Sequence, residues 1–323
     1  MSHVTIPPPP RRWVPRGNAD EAEARALADV LGLPLPLCRL LAGRGLDEGG
    51  ARLFRRPRLD QLGDPFRLAG ITEAVERIET AIARGETILV HGDYDVDGIC
   101  TTALYTRVLR ALGARVVPFV PHRMTDGYDL GPAGIDAARE AGATLILTGD
   151  CGVVAHEAIA IAGRHGIDVI VTDHHTPGET LPAAVAVVNP NRPDCLYPHK
   201  TLAGVGVAFK LCQALHRSRG VDEEPLLFHL DLVAVATIAD LARLEGENRV
   251  LVRYGLRVLA QTRNPGLRAL MRRAGVGKDG APISAGQVSH VLAPRINAVG
   301  RMDEAAWGVR LLLTDDPVEA DRI

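Results

Sequence analysis

Short apolar runs alternate with longer amphipathic stretches through the middle of the chain. The stretches between the runs are rich in Ala, Leu and Glu. The runs are rich in β-branched and aliphatic residues: TILV (87–90), RVVPFV (115–120), TLILT (144–148), DVIVT (168–172) and VAVVN (185–189). Because short apolar strands that alternate with helices form parallel sheets covered on both faces, this pattern predicts an α/β fold.

The segments on either side of this alternation have other patterns. Residues 1 to about 18 are proline-rich, and two short helical patterns follow up to about Asp64, with Asp20 at a first turn. From Leu202 to about Leu270 helical patterns dominate. We therefore predict a mostly parallel sheet flanked by helices, with a small helical N-terminal region and a helical C-terminal half.

Composition narrows the class of protein. The 323 residues are 46% hydrophobic with a formal net charge of −2, which is typical of a globular protein and excludes disorder for most of the chain. No apolar run reaches the roughly 18 residues of a membrane span, and the N-terminal residues lack an apolar signal region. The five cysteines are never spaced C-x-x-C, which favours reduced thiols and a cytoplasmic location.

Arginine supplies nearly all of the positive charge, because only three of the 37 basic residues are lysines. This bias is typical of a GC-rich coding sequence, but arginine is also the side chain that holds phosphate with a planar fork. Four arginines lie between Arg52 and Arg58. They form either a solvated helix face or a phosphate-facing patch.

Acidic and histidine clusters follow three of the predicted strands. These clusters are HGDYDVDG (91–98), GDCG (149–152) and DHH (173–175). Because the carboxyl ends of parallel strands form the ligand crevice of an open α/β sheet, the three clusters are expected to meet there. So many carboxylates and imidazoles repel each other or stay protonated unless a cation neutralises them. The pattern favours a pair of Mn²⁺ or Mg²⁺ ions that activate water for attack on phosphorus.

Each cluster also has a purely structural interpretation. DYDVDG resembles the start of an EF-hand loop, but position 12 is Leu104 where a bidentate Glu is needed. Asp150 could cap the following helix, and His91 could be a hydrogen-bonded core histidine. His174 and His175 could be ordinary loop residues. The coincidence of three clusters at one sheet edge favours the metal site.

Taken together, these motifs resemble the DHH phosphoesterase superfamily, over about residues 70 to 315. More specifically they are similar to its single-strand-specific 5′→3′ DNA exonucleases. Five further segments carry the likeness: PHRMTDGYDL (121–130), TGDCG (148–152), LAGVGVAFKL (202–211), TIADLARLEGENR (237–249) and PRINAVGRM (294–302).

The resemblance implies a role for each matching residue. One ion would be held by His91 and Asp95, the other by Asp97, His174 and Asp240, with Asp150 bridging the two. His175 would contact the scissile phosphate, and Asp93 and Asp173 would orient the ligands. The implied catalytic residues are Asp95, Asp97, Asp150, His174, His175 and Asp240.

The resemblance also implies substrate-phosphate contacts by Arg123, His175, Arg295, Asn297 and Arg301. Gly204-Val205-Gly206 could present backbone N–H groups to a phosphate or could be a tight packing turn. The chain departs from the family pattern at Asp126 and Asp129, where Glu and Gly are expected.

Three regions are expected: an N-terminal extension over 1–69, a DHH phosphoesterase domain over 70–302, and the start of a linking helix over 303–323. The family's further DHHA1 and OB-fold domains are expected to be absent from this chain. The expected activity is hydrolysis of single-stranded DNA from the 5′ end to 5′-mononucleotides, in DNA repair and recombination. By resemblance, single-strand-binding protein and a repair helicase are partners.

Two alternatives stay open. One is cleavage of short oligonucleotides, cyclic dinucleotides or pyrophosphate on the same scaffold, which needs no OB-fold. The other is a metal-free binding module, which an intact ligand set disfavours.

Overall fold

The computed structural model of the protein describes residues 20–302 and 305–323, apart from the side chains of residues 279 and 300–302. The proline-rich segment predicted over residues 1–18 lies outside the described residues. The chain divides into two compact units between Pro57 and Arg58. The domain start predicted at residue 70 stays a prediction.

The first unit contains three helices where two were expected: α1 (Glu21–Leu31), α2 (Leu35–Ala42) and α3 (Glu48–Arg55). The Asp20 side chain caps α1 by accepting from the Ala22 N–H, in line with the predicted first turn. The third helix begins where Asp47 accepts from the Gly50 N–H, a cap that the sequence pattern did not reveal. On α3, exposed Arg52 pairs with Glu48 at 2.9 Å, which favours a solvated helix face there.

The second unit is built on a parallel five-stranded sheet with the order β2-β1-β3-β4-β5. Its strands are β1 (Thr87–Gly92), β2 (Arg115–Phe119), β3 (Ala143–Gly149), β4 (Asp168–Thr172) and β5 (Ala186–Val188). All five coincide with the predicted apolar runs. The predicted α/β fold with a mostly parallel sheet is confirmed.

Helices surround this sheet and dominate the C-terminal half. The α-helices are α4 (Ile71–Arg84), α5 (Val96–Ala111), α6 (Pro132–Glu140), α7 (His156–Arg164), α8 (Gly204–Ser218), α9 (Glu224–Leu227), α10 (Leu230–Ala239), α11 (Gly246–Ala260), α12 (Pro265–Ala274), α13 (Ala285–Gln287), α14 (Ala293–Met302), α15 (Ala306–Leu313) and α16 (Pro317–Arg322). Short 3₁₀ turns lie at Leu59–Gln61, Pro65–Arg67 and Lys278–Gly280, and one π-helical turn at Val288–Leu292.

Both faces of the sheet are buried at β1, β3, β4 and β5, where alternate side chains enter different cores, whereas the edge strand β2 is partly exposed. On β1, Ile88 and Val90 enter the larger core with α4, α5 and α8, whereas Leu89 enters the smaller core with α6 and α7. This alternation follows from the two-residue period of a strand. Burial on both faces explains why the strands read as continuous apolar runs.

The strand order places a reversal between β1 and β3. From β1 the chain moves outward to β2 on one side, then returns to β3 on the other. In doubly wound sheets ligands bind outside the carboxyl ends of the strands at such a switch point. The turns after β1 and β3 carry Asp93 to Asp97 and Asp150, so the fold brings two of the predicted clusters together. No helix in the described part of the chain is both long and apolar enough to cross a bilayer.

Candidate metal centre

The turn after β1 is closed by Asp95, which caps α5. Its Oδ1 accepts from the N–H groups of Asp97 at 2.9 Å and Gly98 at 3.0 Å. A side chain at Gly98 would collide with the backbone of Asp93, so this turn needs glycine. The turn therefore fixes Asp93, Asp95 and Asp97 within one tight loop.

Asp97 is buried and held by the N-terminus of α8. Its Oδ2 and Oδ1 accept from the backbone N–H groups of Gly204 and Val205, each at 2.8 Å. A Cβ at Gly204 would lie 2.5 Å from Asp150 Oδ1, so the glycine lets α8 approach a second carboxylate. These amides bind a carboxylate of the chain itself, which supports the packing-turn alternative rather than a phosphate site.

Asp150 follows β3 in an unusual backbone conformation. Its φ is 66°, in the left-handed region that L-residues rarely occupy and that Asp tolerates better than most. The conformation is held by hydrogen bonds from Asp150 N to Thr172 O at 3.0 Å and from Thr148 Oγ1 to Cys151 O at 2.7 Å. Asp150 is buried. Its carboxylate is thus fixed at the sheet edge by the backbone rather than by a side-chain partner.

Asp173 organises the loop after β4. Its Oδ1 accepts from the His174 N–H at 2.7 Å and the His175 N–H at 3.1 Å, and it lies 2.7 Å from His175 Nδ1. Its Oδ2 accepts from the Val153 N–H at 3.0 Å. These contacts agree with the predicted role of Asp173 in orienting the histidines.

Four segments distant in sequence bring metal-ligating atoms together. Asp97, His174 and Asp240 form one group, and Asp150, His174 and His175 form another, with all ligand atoms of each group within 4.8 Å of one another. His174 Nε2 lies 3.0 Å from Asp150 Oδ1 and 4.0 Å from Asp240 Oδ2. The first group is the predicted ligand set of one ion, and the shared His174 makes the two groups adjacent.

Several of these atoms are buried without a hydrogen-bond partner. Asp150 Oδ1 and His174 Nε2 are in this condition, and so are His91 Nε2 and Asp93 Oδ1 at and after the end of β1. His174 Nε2 and Asp150 Oδ1 are close, but they are not aligned as a hydrogen bond. Buried polar atoms are otherwise almost always paired, so a cluster of unpaired oxygen and nitrogen atoms fits a cation.

The pKa values show how poorly the carboxylates are neutralised by the chain. Burial, with Asp95 as the next cause, raises the pKa of Asp93 to about 7 and that of Asp240 to about 6. Burial and neighbouring aspartates raise the pKa values of Asp97 and Asp150 well above their ordinary range. Burial lowers the pKa of His174 to about 4, which keeps its imidazole neutral as a ligand must be. The site suits a cation that replaces these protons.

His91 is a member of neither ligand group. Its Nε2 edge faces Gly134 of α6, where a Cβ would approach Nε2 to 2.7 Å, and its Nδ1 lies 3.6 Å from Cys151 Sγ. Burial lowers the pKa of His91 to about 4. Asp95 also belongs to neither group found among the described residues. The ion assigned to His91 and Asp95 therefore stays a prediction.

The predicted phosphate-binding residues lie outside the two groups, apart from His175. Arg123 is exposed, with its guanidinium carbon 5.1 Å from the Tyr94 ring centroid. Arg295 is exposed on α14 and donates to Val291 O at 2.7 Å, while Asn297 is half-buried. The side chain of Arg301 lies outside the described residues. Their substrate roles stay predictions.

The sequence analysis did not identify two asparagines beside the site, and it did not explain the departure from the family pattern at Asp129. Asn189 and Asn191 donate hydrogen bonds to the backbone of the loop after β4, residues 173–176, which we call the histidine loop. Their position directly after β5 is the sequence signal that could have identified them. Asp129 has φ 76°, which explains why a glycine was expected there. The non-glycine residues with positive φ in the described ranges are Asp129, Asp150 and Leu241, all at or beside the site, as strained backbone often is.

Comparisons with known proteins agree with this geometry. The DHH family, N-terminal domain, matches residues 87–237. The chain is 45% identical over 299 residues to the single-stranded-DNA-specific exonuclease RecJ of Dickeya dadantii, covering 89% of this chain and 51% of the relative. It is 40% identical over 305 residues to the same enzyme of Bacillus subtilis, covering 94% and 38%. The chain thus spans about half the length, or less, of these relatives.

Two solved structures are also similar. One is exonuclease RecJ bound to manganese, with a TM-score of 0.73, 43% identity, and coverage of 82% of this chain and 65% of that chain. The other is RecJ of Thermus thermophilus in complex with Mn²⁺, with a TM-score of 0.78, 38% identity, and coverage of 93% and 42%. The matched domain and these relatives agree with the acidic edge of the sheet, and residues 87–237 match the DHH family, N-terminal domain.

Proposed function

We propose that this chain carries the metal centre of an exonuclease that hydrolyses single-stranded DNA from its 5′ end and releases 5′-mononucleotides. The observation that carries the proposal is the pair of adjacent ligand groups around His174, in which Asp150 Oδ1 and His174 Nε2 are buried without hydrogen-bond partners. Relatives named as single-stranded-DNA-specific exonucleases share 40–45% of its residues over most of the chain. A role in DNA repair and recombination follows from the same likeness.

The donor set favours a hard divalent cation. Asp97, Asp150, Asp240 and His174 offer carboxylate oxygens and one neutral imidazole, without a thiolate. Such sets suit Mn²⁺ or Mg²⁺, and a related structure contains Mn²⁺. Bound ions of this kind lower the pKa of water and neutralise charge that develops on a phosphate. We assign two ions to this centre, and Asp97, Asp150, His174 and Asp240 would be among the residues that hold them.

His175 is suited to act on the leaving group. Its Nδ1 is held by Asp173, and this hydrogen bond is the main cause that raises the His175 pKa. A raised pKa favours the protonated imidazolium, with Nδ1 paired and Nε2 able to donate. Hydrolysis breaks the bond between phosphorus and the 3′-oxygen of the terminal nucleotide, and a water oxygen is added to phosphorus. We assign to His175 the proton that the departing 3′-oxygen takes up.

The direct test compares the chain with its Asp150→Asn variant on single-stranded DNA in Mn²⁺. Asparagine keeps the shape of the side chain and tolerates the φ of 66° better than alanine does. We expect release of mononucleotides from a 5′-labelled strand, progressive shortening of a 3′-labelled strand, and loss of both in the variant. Asp136→Asn is the control, because it removes an exposed carboxylate that pairs only with Arg139 at 3.2 Å among the described contacts.

Three outcomes would contradict the proposal. Hydrolysis that survives Asp150→Asn would remove this carboxylate from the metal centre. Cleavage of a dinucleotide without cleavage of longer single strands would replace the exonuclease by the small-substrate phosphodiesterase. Inactivity on both substrates despite bound Mn²⁺ would favour the binding module.

A further inference from the structure

The backbone N–H and carbonyl groups of His174 and His175 all have hydrogen-bond partners. The N–H groups of His174 and His175 donate to Asp173 Oδ1. The carbonyl of His174 accepts from Asn191 Nδ2 at 2.5 Å, and that of His175 accepts from Asn189 Nδ2 at 2.9 Å. Side chains therefore bind both N–H groups and both carbonyls of these two residues, where backbone groups more often bind each other.

The two asparagines are themselves fixed. Asn189 is fully buried at the end of β5, and its Oδ1 accepts from the Asn191 N–H at 2.7 Å. Pro190 between them has a restricted φ, and its carbonyl accepts from Lys200 Nζ at 2.7 Å. The segment 189–191 is therefore a rigid turn whose two amide groups point at the neighbouring loop.

We propose that Asn189 and Asn191 are positioning residues that hold His174 and His175 in place for cation and substrate. The geometry supports positioning rather than general stability, because each asparagine binds the carbonyl of one particular histidine. His174 Nε2 needs such control: it belongs to both ligand groups and lies 3.0 Å from Asp150 Oδ1. A loop free to rotate would lose one group or the other.

This inference rests on the proposed function, because the loop carries proposed ligands. The first variant is Asn191→Ala, which removes the bond to His174 O at a half-buried position. The second is Asn189→Asp, which keeps the acceptor for the Asn191 N–H but cannot donate to His175 O. The matched control is Asn264→Ala, whose amide donates to Leu312 O at 2.8 Å on another part of the fold.

Two measurements are made on each protein: hydrogen exchange of residues 173–176 without metal, and Mn²⁺ affinity by calorimetry. We expect faster exchange in this segment and about tenfold weaker Mn²⁺ binding for Asn191→Ala, as is typical when a group that orients a ligand is lost. Asn189→Asp should show the same faster exchange. Asn264→Ala should change neither, even if its unfolding midpoint falls as far.

Unchanged exchange and unchanged Mn²⁺ affinity in Asn191→Ala would overturn the positioning role. So would an equal loss of affinity in Asn264→Ala, which would mean a general loss of stability. If the wild-type chain binds no Mn²⁺, the proposed function fails, but the exchange comparison in the metal-free protein still decides whether the asparagines hold the loop.

Discussion

Two clusters of charged side chains are buried in the second unit, and they are neutralised in different ways. In one, the ammonium of fully buried Lys210 lies 3.3 Å from Glu247 Oε1, donates to Gly63 O at 2.7 Å and contacts Gln213 Oε1 at 3.2 Å. Tyr197 donates to Glu247 at 2.8 Å, and the Gly63 N–H also donates to it. Every charge there has an opposite charge or a hydrogen bond from the chain.

The candidate metal centre shows the opposite pattern. Its buried carboxylates raise each other's pKa values, and two of its ligand atoms, Asp150 Oδ1 and His174 Nε2, lack hydrogen-bond partners. Near Lys210, burial lowers the pKa of the ammonium while Glu247 opposes that effect. The comparison teaches that a buried charge alone does not mark a functional site. A buried charge that the chain leaves unneutralised does.

The largest effect is expected when the neutralised cluster is broken. Glu247→Gln leaves the buried Lys210 ammonium without its counter-charge, and the free energy of unfolding should fall by about 3–5 kcal/mol. Urea unfolding measures this loss. The double variant with Lys210→Met should recover much of it, since no charge is then stranded. If Glu247→Gln is as stable as the wild type, Glu247 does not neutralise Lys210 and the two clusters do not differ in this respect.

Asp150→Asn should stabilise the metal-free protein, whereas Glu247→Gln should destabilise it. Metal-dependent hydrolysis should fall by on the order of 10²–10³-fold. The metal-free protein should gain about 1 kcal/mol, because one repelling buried carboxylate is gone, as happens when strained functional sites are relieved. Activity assays and urea unfolding without metal test both parts. A destabilised metal-free variant would show that Asp150 is already neutralised by the chain.

The pH dependence of the metal centre should follow the raised carboxyl pKa values. Asp240 has its pKa raised from 3.8 to about 6, so the native state keeps a proton that the unfolded state loses between these values. Stability contributed by this group therefore falls as pH rises through that window, and Asp240→Asn should lack the fall.

Mn²⁺ affinity should rise over the same window, by up to about tenfold per pH unit for each proton displaced. Calorimetry at several pH values, with Asp136→Asn as control, measures both. Equal pH profiles for wild type and Asp240→Asn would exclude Asp240 from the site.

The smallest effect is expected at the edge of the neutralised cluster. Tyr197→Phe removes one donor from the Glu247 carboxylate and should cost about 1.5 kcal/mol of unfolding free energy. Tyr105→Phe, which removes a bond to the neutral Thr172 hydroxyl, should cost less. Mn²⁺ affinity should stay unchanged in Tyr197→Phe, and a change there would mean that the two clusters are coupled.

Much of the site could be predicted because each cluster directly follows a strand. The rule that strand ends meet at one sheet edge needs only the apolar runs and the residues after them, and it brought Asp97, Asp150 and His174 together. It did not predict that the α8 amides bind Asp97, because that contact joins residues more than a hundred positions apart. It also missed Asn189 and Asn191, whose role depends on which loop lies beside β5.

The sequence by itself determined the sheet, its parallel strands and the residues at their ends, because these depend on local periodicity and on short-range turn chemistry. Only the tertiary structure decided which buried charges are neutralised. Lys210 and Glu247 are 37 positions apart, and nothing in their local patterns shows that they neutralise each other. Whether a buried charge has a partner depends on distances of a few ångströms between distant segments, and packing alone sets those distances.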